Sequence, residues 1–542
     1  MNKIVLLIKL SFCLFIFSLP ALAQKQEWET IYEYGDSSRA EANSSCMDKS
    51  GNIYVVGFRT GRGSDIVNHV VIKYNSSGVQ QWVNTFGEYK NANFFGIAIA
   101  VGQSGNIYVT GSTSEYGKMD AVTIKYNSSG AVLWEKKFDG DAHQRDLANS
   151  ITIDKKGNVL ISGLTEDNAK HADILTIKYD SSGTELWHTK FNRGPESFPI
   201  TPEGYGLGFS RYPIVADVDG NLYLTGEGYT TGKPGNFLTL KYSPEGTMLW
   251  SKEYGRGAAT GLALDAQGNI YITGANWYTQ GNQTNWGAGT TLKYNPAGEL
   301  VWDKLYDTGD SNIDKAIGIV VDDNNDIIIA GYSSNSSVAY DGSMFCVKYS
   351  NSGTRQWVYT SAKTFIFTSC FVKDANNNFF IGGISYTGNE NDPYRAAILK
   401  INASGALLGS VKYGNSFANS TSLNVDGDDN IYLVGFSLKL GTGKIFTLKY
   451  SNFPNSPATL SEENFSKEVQ IFPNPTTGNF TIAVPPAANS IEIINALGQV
   501  EQKMIIDGQA NLNFQIKNNG IYYIQIATQN EIITRKIVVS NL

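Results

Sequence analysis

One short segment recurs eight times along the chain, and that recurrence limits the fold more than any other feature. Gly51-Asn52-Ile53-Tyr54-Val55-Val56-Gly57 returns at 105–111, 157–163, 220–226 and 268–274, with looser copies at 325–331, 377–383 and 429–435. From Asn52 to Asn430 the seven intervals average 54 residues. An Asp stands four residues before the Asn position in seven copies (Asp48, Asp154, Asp217, Asp265, Asp322, Asp374 and Asp426), and Gly102 replaces it in the second. Further on comes a strand ending in Lys-Tyr, such as Ile72-Lys73-Tyr74, closed by a turn such as Asn75-Ser76-Ser77-Gly78. Four residues past that Gly stands Trp82, and Trp134, Trp187, Trp250, Trp302 and Trp357 repeat the spacing.

Each unit therefore reads as four short strands. Asp and Asn bond their own backbone in turns and Gly supplies positive φ, so the Asp-x-x-Gly-Asn and Ser-Ser-Gly segments are tight hairpins. Both faces of Ile53-Tyr54-Val55-Val56 are apolar, which suits a sheet covered on both sides. Four-stranded sheets packed face to face around a ring meet that demand, and such a ring is a β-propeller. The last unit has no Trp strand after Tyr450, whereas Glu27-Trp28-Glu29-Thr30-Ile31-Tyr32 precedes the first unit as an orphan. The orphan is expected to complete the final blade, which would leave no open array ends. Eight units are visible, with seven blades as the alternative count.

Composition agrees with an all-β chain. Of 542 residues 55 are Gly, 30 are Tyr and only 17% are charged. Residues 1–23 form a separate object: Lys3 and Lys9, an apolar run from Leu10 to Leu19, and Ala21-Leu22-Ala23 before Gln24 spell a secretory signal peptide. Cys13 lies inside the run, away from the cleavage site, so no lipid anchor is expected. No later stretch is long and apolar enough for a membrane span. Without Lys3 and Lys9 the mature chain has 41 basic and 50 acidic residues, a formal charge of −9, and no Lys/Arg block that would mark a nucleic-acid surface. Cys46, Cys346 and Cys370 sit singly in apolar strands and read as buried thiols rather than a disulfide framework.

The units at 51–57, 105–111 and 268–274, with their Lys-Tyr and Trp partners, resemble the SBBP repeat family over residues 24–450. That family is named for seven-bladed propellers, so the eight units here depart from it. After Tyr450 the pattern stops. Ser451 to Lys467 is rich in Pro, Ser and Asn and reads as a linker, and residues 468–542 show about seven strand-like runs, enough for a small immunoglobulin-like β-sandwich. In that segment Phe472-Pro473-Asn474-Pro475-Thr476-Thr477-Gly478, Asn495-Ala496-Leu497-Gly498-Gln499, Gly520-Ile521-Tyr522-Tyr523 and Thr534-Arg535-Lys536-Ile537-Val538-Val539 resemble the type A sorting domain of the type IX secretion system. The resemblance implies a Bacteroidota-like host and Sec export to the periplasm. It further implies recognition by the outer-membrane translocon and removal by a sortase-like protease, with release or surface anchoring as the outcome. Pro473, Asn474, Pro475, Gly478, Gly498, Gly520 and Lys536 carry the motif.

Catalytic chemistry is sparse. His69, His143, His171 and His188 show neither metal-ligand spacing nor a triad context, and are expected as solvated loop or blade-edge residues. Gly441-Thr442-Gly443-Lys444 is followed by Ile445 where a phosphate loop needs Ser or Thr. The recurrent Gly-x-x-x-Trp resembles the Trp-docking repeats of eight-bladed quinoprotein dehydrogenases, but their adjacent-cysteine pair is missing. No cofactor is expected; Ca²⁺ is the alternative, at the Asp217-Val218-Asp219 and Asp426-Gly427-Asp428 turns. The expected ligand surface is the blade end that carries the long, variable connections. The crossover 192–211 holds Phe198, Tyr205 and Phe209, and the loop 275–289 holds Trp277, Tyr278 and Trp286, flat apolar faces for sugar rings or a partner protein. The function expected is non-catalytic binding or surface interaction, with a carbohydrate-active hydrolase or lyase as alternative and a matrix or gliding-surface role as a third.

Overall fold

The computed structural model describes residues 25–540 except 36–37, 62–66, 87–91, 116–117, 170, 193–212, 231–232, 281–282, 309–311, 336–341, 363–364, 387–393, 415, 440–441, 452, 454–469, 473–475, 477, 484–487, 496–498, 507–510 and 529–531. Two compact units divide the chain, one running to Pro457 and the other from Ala458.

The first unit holds eight antiparallel four-stranded sheets. Seven are continuous in sequence, at 39–86, 92–138, 146–191, 214–254, 257–306, 312–360 and 365–413. The eighth joins three strands from 417–451 to the N-terminal strand Lys25–Tyr32, which takes the outer position. Lys25 lies opposite Ser451, Ile31 opposite Phe446 and Tyr32 opposite Ile445. The expected eight-fold count and the closure by the orphan strand both hold.

Eight apolar clusters, one per seam between neighbouring blades, form the core among the described residues. They follow from the two-sided apolar pattern: Ile53 and Val55 join the seam towards the eighth blade, Tyr54 and Val56 the seam towards the second. The Gly that ends the motif has a steric reason. A bulge at Ala42/Ser44 brings the inner strand so close that a Cβ on Gly57 would stand 2.0 Å from the Glu41 carbonyl oxygen. In the looser copies Asn325, Asn377 and Asp429 take the Gly place of the first turn at φ 57–60°, a conformation Asn and Asp tolerate.

The second unit is a β-sandwich. Its three-stranded sheet holds Gln470–Phe472, Asn479–Ala483 and Asn511–Gln515; its four-stranded sheet holds Ala488–Asn495, Val500–Ile505, Gly520–Thr528 and Ile532–Val539. Phe480, Ile482, Ile491, Ile493, Phe514 and Ile524 lead one core between the sheets.

Three sequence expectations are corrected. The stretch 275–289 is not a loop: strands Ile270–Gln280 and Gln283–Tyr294 continue through it as a long hairpin. The propeller does not end at Tyr450, because its last strand reaches Ser451 and Phe453 is buried in the seam beyond. His69 is not solvated; it is 2% exposed at the first seam, its Nε2 3.5 Å from the Tyr126 hydroxyl.

Candidate functional site

The two ends of the ring differ in chemistry. One end carries the short turns, and the Asp carboxyls of its first turns are satisfied within the turns themselves. Asp48 Oδ1 accepts the backbone N–H of Ser50 and Asn52, and Oδ2 accepts Asn52 Nδ2 at 2.8 Å and the Tyr54 hydroxyl at 2.9 Å. Burial raises its pKa, but the bonds from Asn52, Tyr54 and Ser50 outweigh it and hold the carboxyl below the usual range. Asp217 and Asp426 accept equivalent sets of donors. Their side-chain oxygens are therefore occupied by the turn itself. Asp219 and Asp428 are exposed beside them, on blades four and eight, so the two candidate calcium turns lie on opposite sides of the ring.

The Trp positions explain the rest of this end. Seven indole N–H groups, from Trp28 to Trp357, each donate to a backbone carbonyl in the next blade's turn at 2.9–3.4 Å. At five seams the Lys of the Lys-Tyr strand donates to the same carbonyl, as Lys73 and Trp82 do at Ser128. The ring lies on the turn Gly, where a Cβ on Gly130 would meet Trp82 at 2.8 Å.

The other end carries the long connections and blade-specific charges. Trp277 is the cross-strand partner of Trp286, and Tyr278 of Asn285, in the long hairpin. Phe198, Tyr205 and Phe209 lie outside the described residues. Between blades two and three, Asp120, Asp139 and Asp146 bring one carboxylate oxygen each within 4.8 Å of the others, the one group of this kind among the described residues. Asp120 pairs with Lys137, Asp139 with His143 at 2.8 Å, and Asp146 accepts the Gly140 N–H at 2.7 Å. Blade six repeats this crossover with Thr308 donating its N–H and its hydroxyl to Asp314. Burial raises both Asp146 and Asp314. Glu227 is pushed up to about 8 by burial, against the opposing charge of Lys315. Sequence reasoning passed over these acids. The signal was present for Glu227, which follows the motif's closing Gly where other blades have Phe58, Leu164, Tyr332 or Phe436.

A ring of eight self-bonded blades defines a β-propeller, and comparison with solved structures agrees. The Dos1 propeller is similar at TM-score 0.50 and 8% identity, covering 80% of this chain and 95% of that one. The polysaccharide lyase Uly1 is similar at TM-score 0.41 and 11% identity, covering 80% and 94%. An uncharacterized WD repeat-containing protein of Acanthamoeba polyphaga mimivirus is 25% identical over 381 residues. That match takes in 58% of this chain and 27% of the viral protein, so the chain spans about a quarter of its relative. Residues 470–540 match the secretion system C-terminal sorting domain, Por_Secre_tail. The chain is thus a secreted β-propeller protein whose tail engages the type IX secretion machinery and sends it to the cell surface or extracellular space. Of the sorting motif, Gly478 lies in the turn before Asn479–Ala483, with its carbonyl bonded by Ile516; Gly520 opens a strand, and Lys536 pairs with Tyr523. Pro473, Asn474, Pro475 and Gly498 fall outside the described residues. Among the described residues no helix is long and apolar enough to cross a membrane.

Proposed function

We propose that the propeller is a non-catalytic binding module that captures a glycan or a surface protein at its long-connection end. One observation carries this reading. The recurrent Asp carboxyls and Trp indoles of the turn end are engaged by bonds within and between blades, whereas the other end holds charges and aromatic positions that differ from blade to blade. The hairpin 270–294, with Trp277, Tyr278 and Trp286, is its platform, and the crossover with Phe198, Tyr205 and Phe209 belongs to the same end. Function needs no cofactor; calcium at Asp217 and Asp426 would have to displace the donors of their own turns. The sorting domain contributes nothing to ligand capture and is cut away by the sortase after export. The test is a glycan and polysaccharide array probed with the mature chain, followed by assays for reducing ends and unsaturated sugars. Capture without product is the expected result.

A second reading, a carbohydrate-active hydrolase or lyase, is favoured by Glu227, an acid that burial keeps protonated near neutral pH. Product formation that Glu227→Gln abolishes would replace the first reading.

A further inference from the structure

The seam between blades seven and eight lacks the Trp that every other seam has. At the Trp position, opposite Lys400, the outer strand of blade seven has Gly409. The reason lies in how the ring closes. An indole wedge needs a carbonyl in the next blade's turn between third and outer strands. Blade eight has no such turn, because its outer strand Lys25–Tyr32 comes from the other end of the chain. An indole placed there would keep its N–H buried without that acceptor.

The space is filled from elsewhere. At four other seams the Trp sits between a Tyr of its own blade and the Tyr of the next Lys-Tyr strand. Trp82 lies 6.1 Å from Tyr54 and 6.3 Å from Tyr126, and Trp302 lies 6.1 Å from Tyr271 and 6.4 Å from Tyr349. At the last seam Phe453 holds the same relation, 5.8 Å from Phe380 and 6.2 Å from Tyr450. Phe380 is the blade-seven counterpart of Tyr54, and Tyr450 belongs to the last Lys-Tyr strand. Phe453 is 4% exposed and joins the cluster of Ile398, Leu433 and Leu448. A phenyl ring needs no acceptor, so it suits a seam that offers none.

We propose that Phe453 is the eighth wedge of the ring. The first residues that leave the propeller towards the sorting domain are then a structural part of its last seam. Any cut that releases the sorting domain must fall beyond Phe453, or the mature propeller loses a wedge.

The experiment uses the mature chain and follows the propeller melting transition by calorimetry. Phe453→Ala lowers it by ~5–15 °C, the range of an aromatic core truncation, and Phe453→Leu by less than half as much. Phe380→Ala and Phe453→Ala are non-additive when combined, because they remove one contact. Cleavage at a protease site placed after Pro457 leaves the transition within ~1 °C. If Phe453→Ala does not fold, the Leu variant and the cleaved chain still decide. An unchanged transition in Phe453→Ala, additive losses, a Leu variant as damaged as the Ala variant, or a large loss on cleavage after Pro457 would overturn the proposal.

Discussion

A single indole shows how this fold is held. Trp250 bonds the Pro296 carbonyl of the next blade and lies against Tyr223 and Tyr294 on either side of the seam. Its removal takes away ring packing and a hydrogen bond together. Trp250→Ala should cost about 3–5 kcal/mol, measured by urea unfolding, whereas Trp250→Phe should keep most of the packing. His69 acts on stability through pH. It is buried against Tyr126 and Phe86, and burial lowers its pKa from 6.5 to about 4. The unfolded chain therefore takes up the proton first as pH falls. Stability present above pH ~6.5 should be lost progressively down to pH ~4, by about 3 kcal/mol, and His69→Leu should flatten that slope in a pH series of melting curves. Asp48 and Asp426 have the opposite charge but the same direction. Hydrogen bonds hold them below the unfolded carboxyl range, so their contribution is lost only at lower pH, as they protonate. If the Asp turns are structural, saturating calcium or chelator should move the melting temperature by less than ~1 °C.

At the scale of the element, the N-terminal strand decides closure. Without Lys25–Tyr32 the strand Thr442–Ser451 would keep an open edge and the seam between blades eight and one would lose Trp28, which docks on Ser76. Deleting residues 24–32 should lower the melting temperature by ~10 °C or more and promote aggregation, read by calorimetry and light scattering. Most elements were legible because each blade repeats the same turn chemistry and the two-sided apolar pattern of Ile53–Val56. Even closure was legible, since Glu27 to Tyr32 matches the outer strands of other blades. What failed needed a neighbour from another blade. His69 is buried by Tyr126, 57 residues away, and Phe453 by Phe380, 73 residues away, and no local pattern marks either. The hairpin 270–294 departs from the expected loop for a different reason. Gly281-Asn282 is a two-residue turn signal, and the aromatic residues on either side of it are strand formers as well as loop residues. At the long-connection end, Asp120, Asp139 and Asp146 come from separate segments, so only the crossover geometry unites them.

For the whole molecule, the proposed function assigns export and recognition to different units. Residues 468–542 placed behind a signal peptide and a reporter should carry the reporter past the outer membrane of a type IX-competent host, and periplasmic retention would deny the segment a sufficient signal. The proposed recognition belongs to the propeller, and there the decisive contrast is between its surfaces. The outer rim offers its own exposed apolar residues, Leu133 and Leu249, each about half exposed on the outer strands of blades two and four. The most direct measurement is the affinity of the mature chain for the ligand the array identifies, compared between Trp277→Ala/Trp286→Ala and Leu133→Ala/Leu249→Ala. The hairpin variant should bind at least ~10-fold more weakly with its melting temperature within ~2 °C, and the rim variant should bind as the parent does. Full affinity in the hairpin variant, or its loss in the rim variant, would contradict a binding site at the long-connection end.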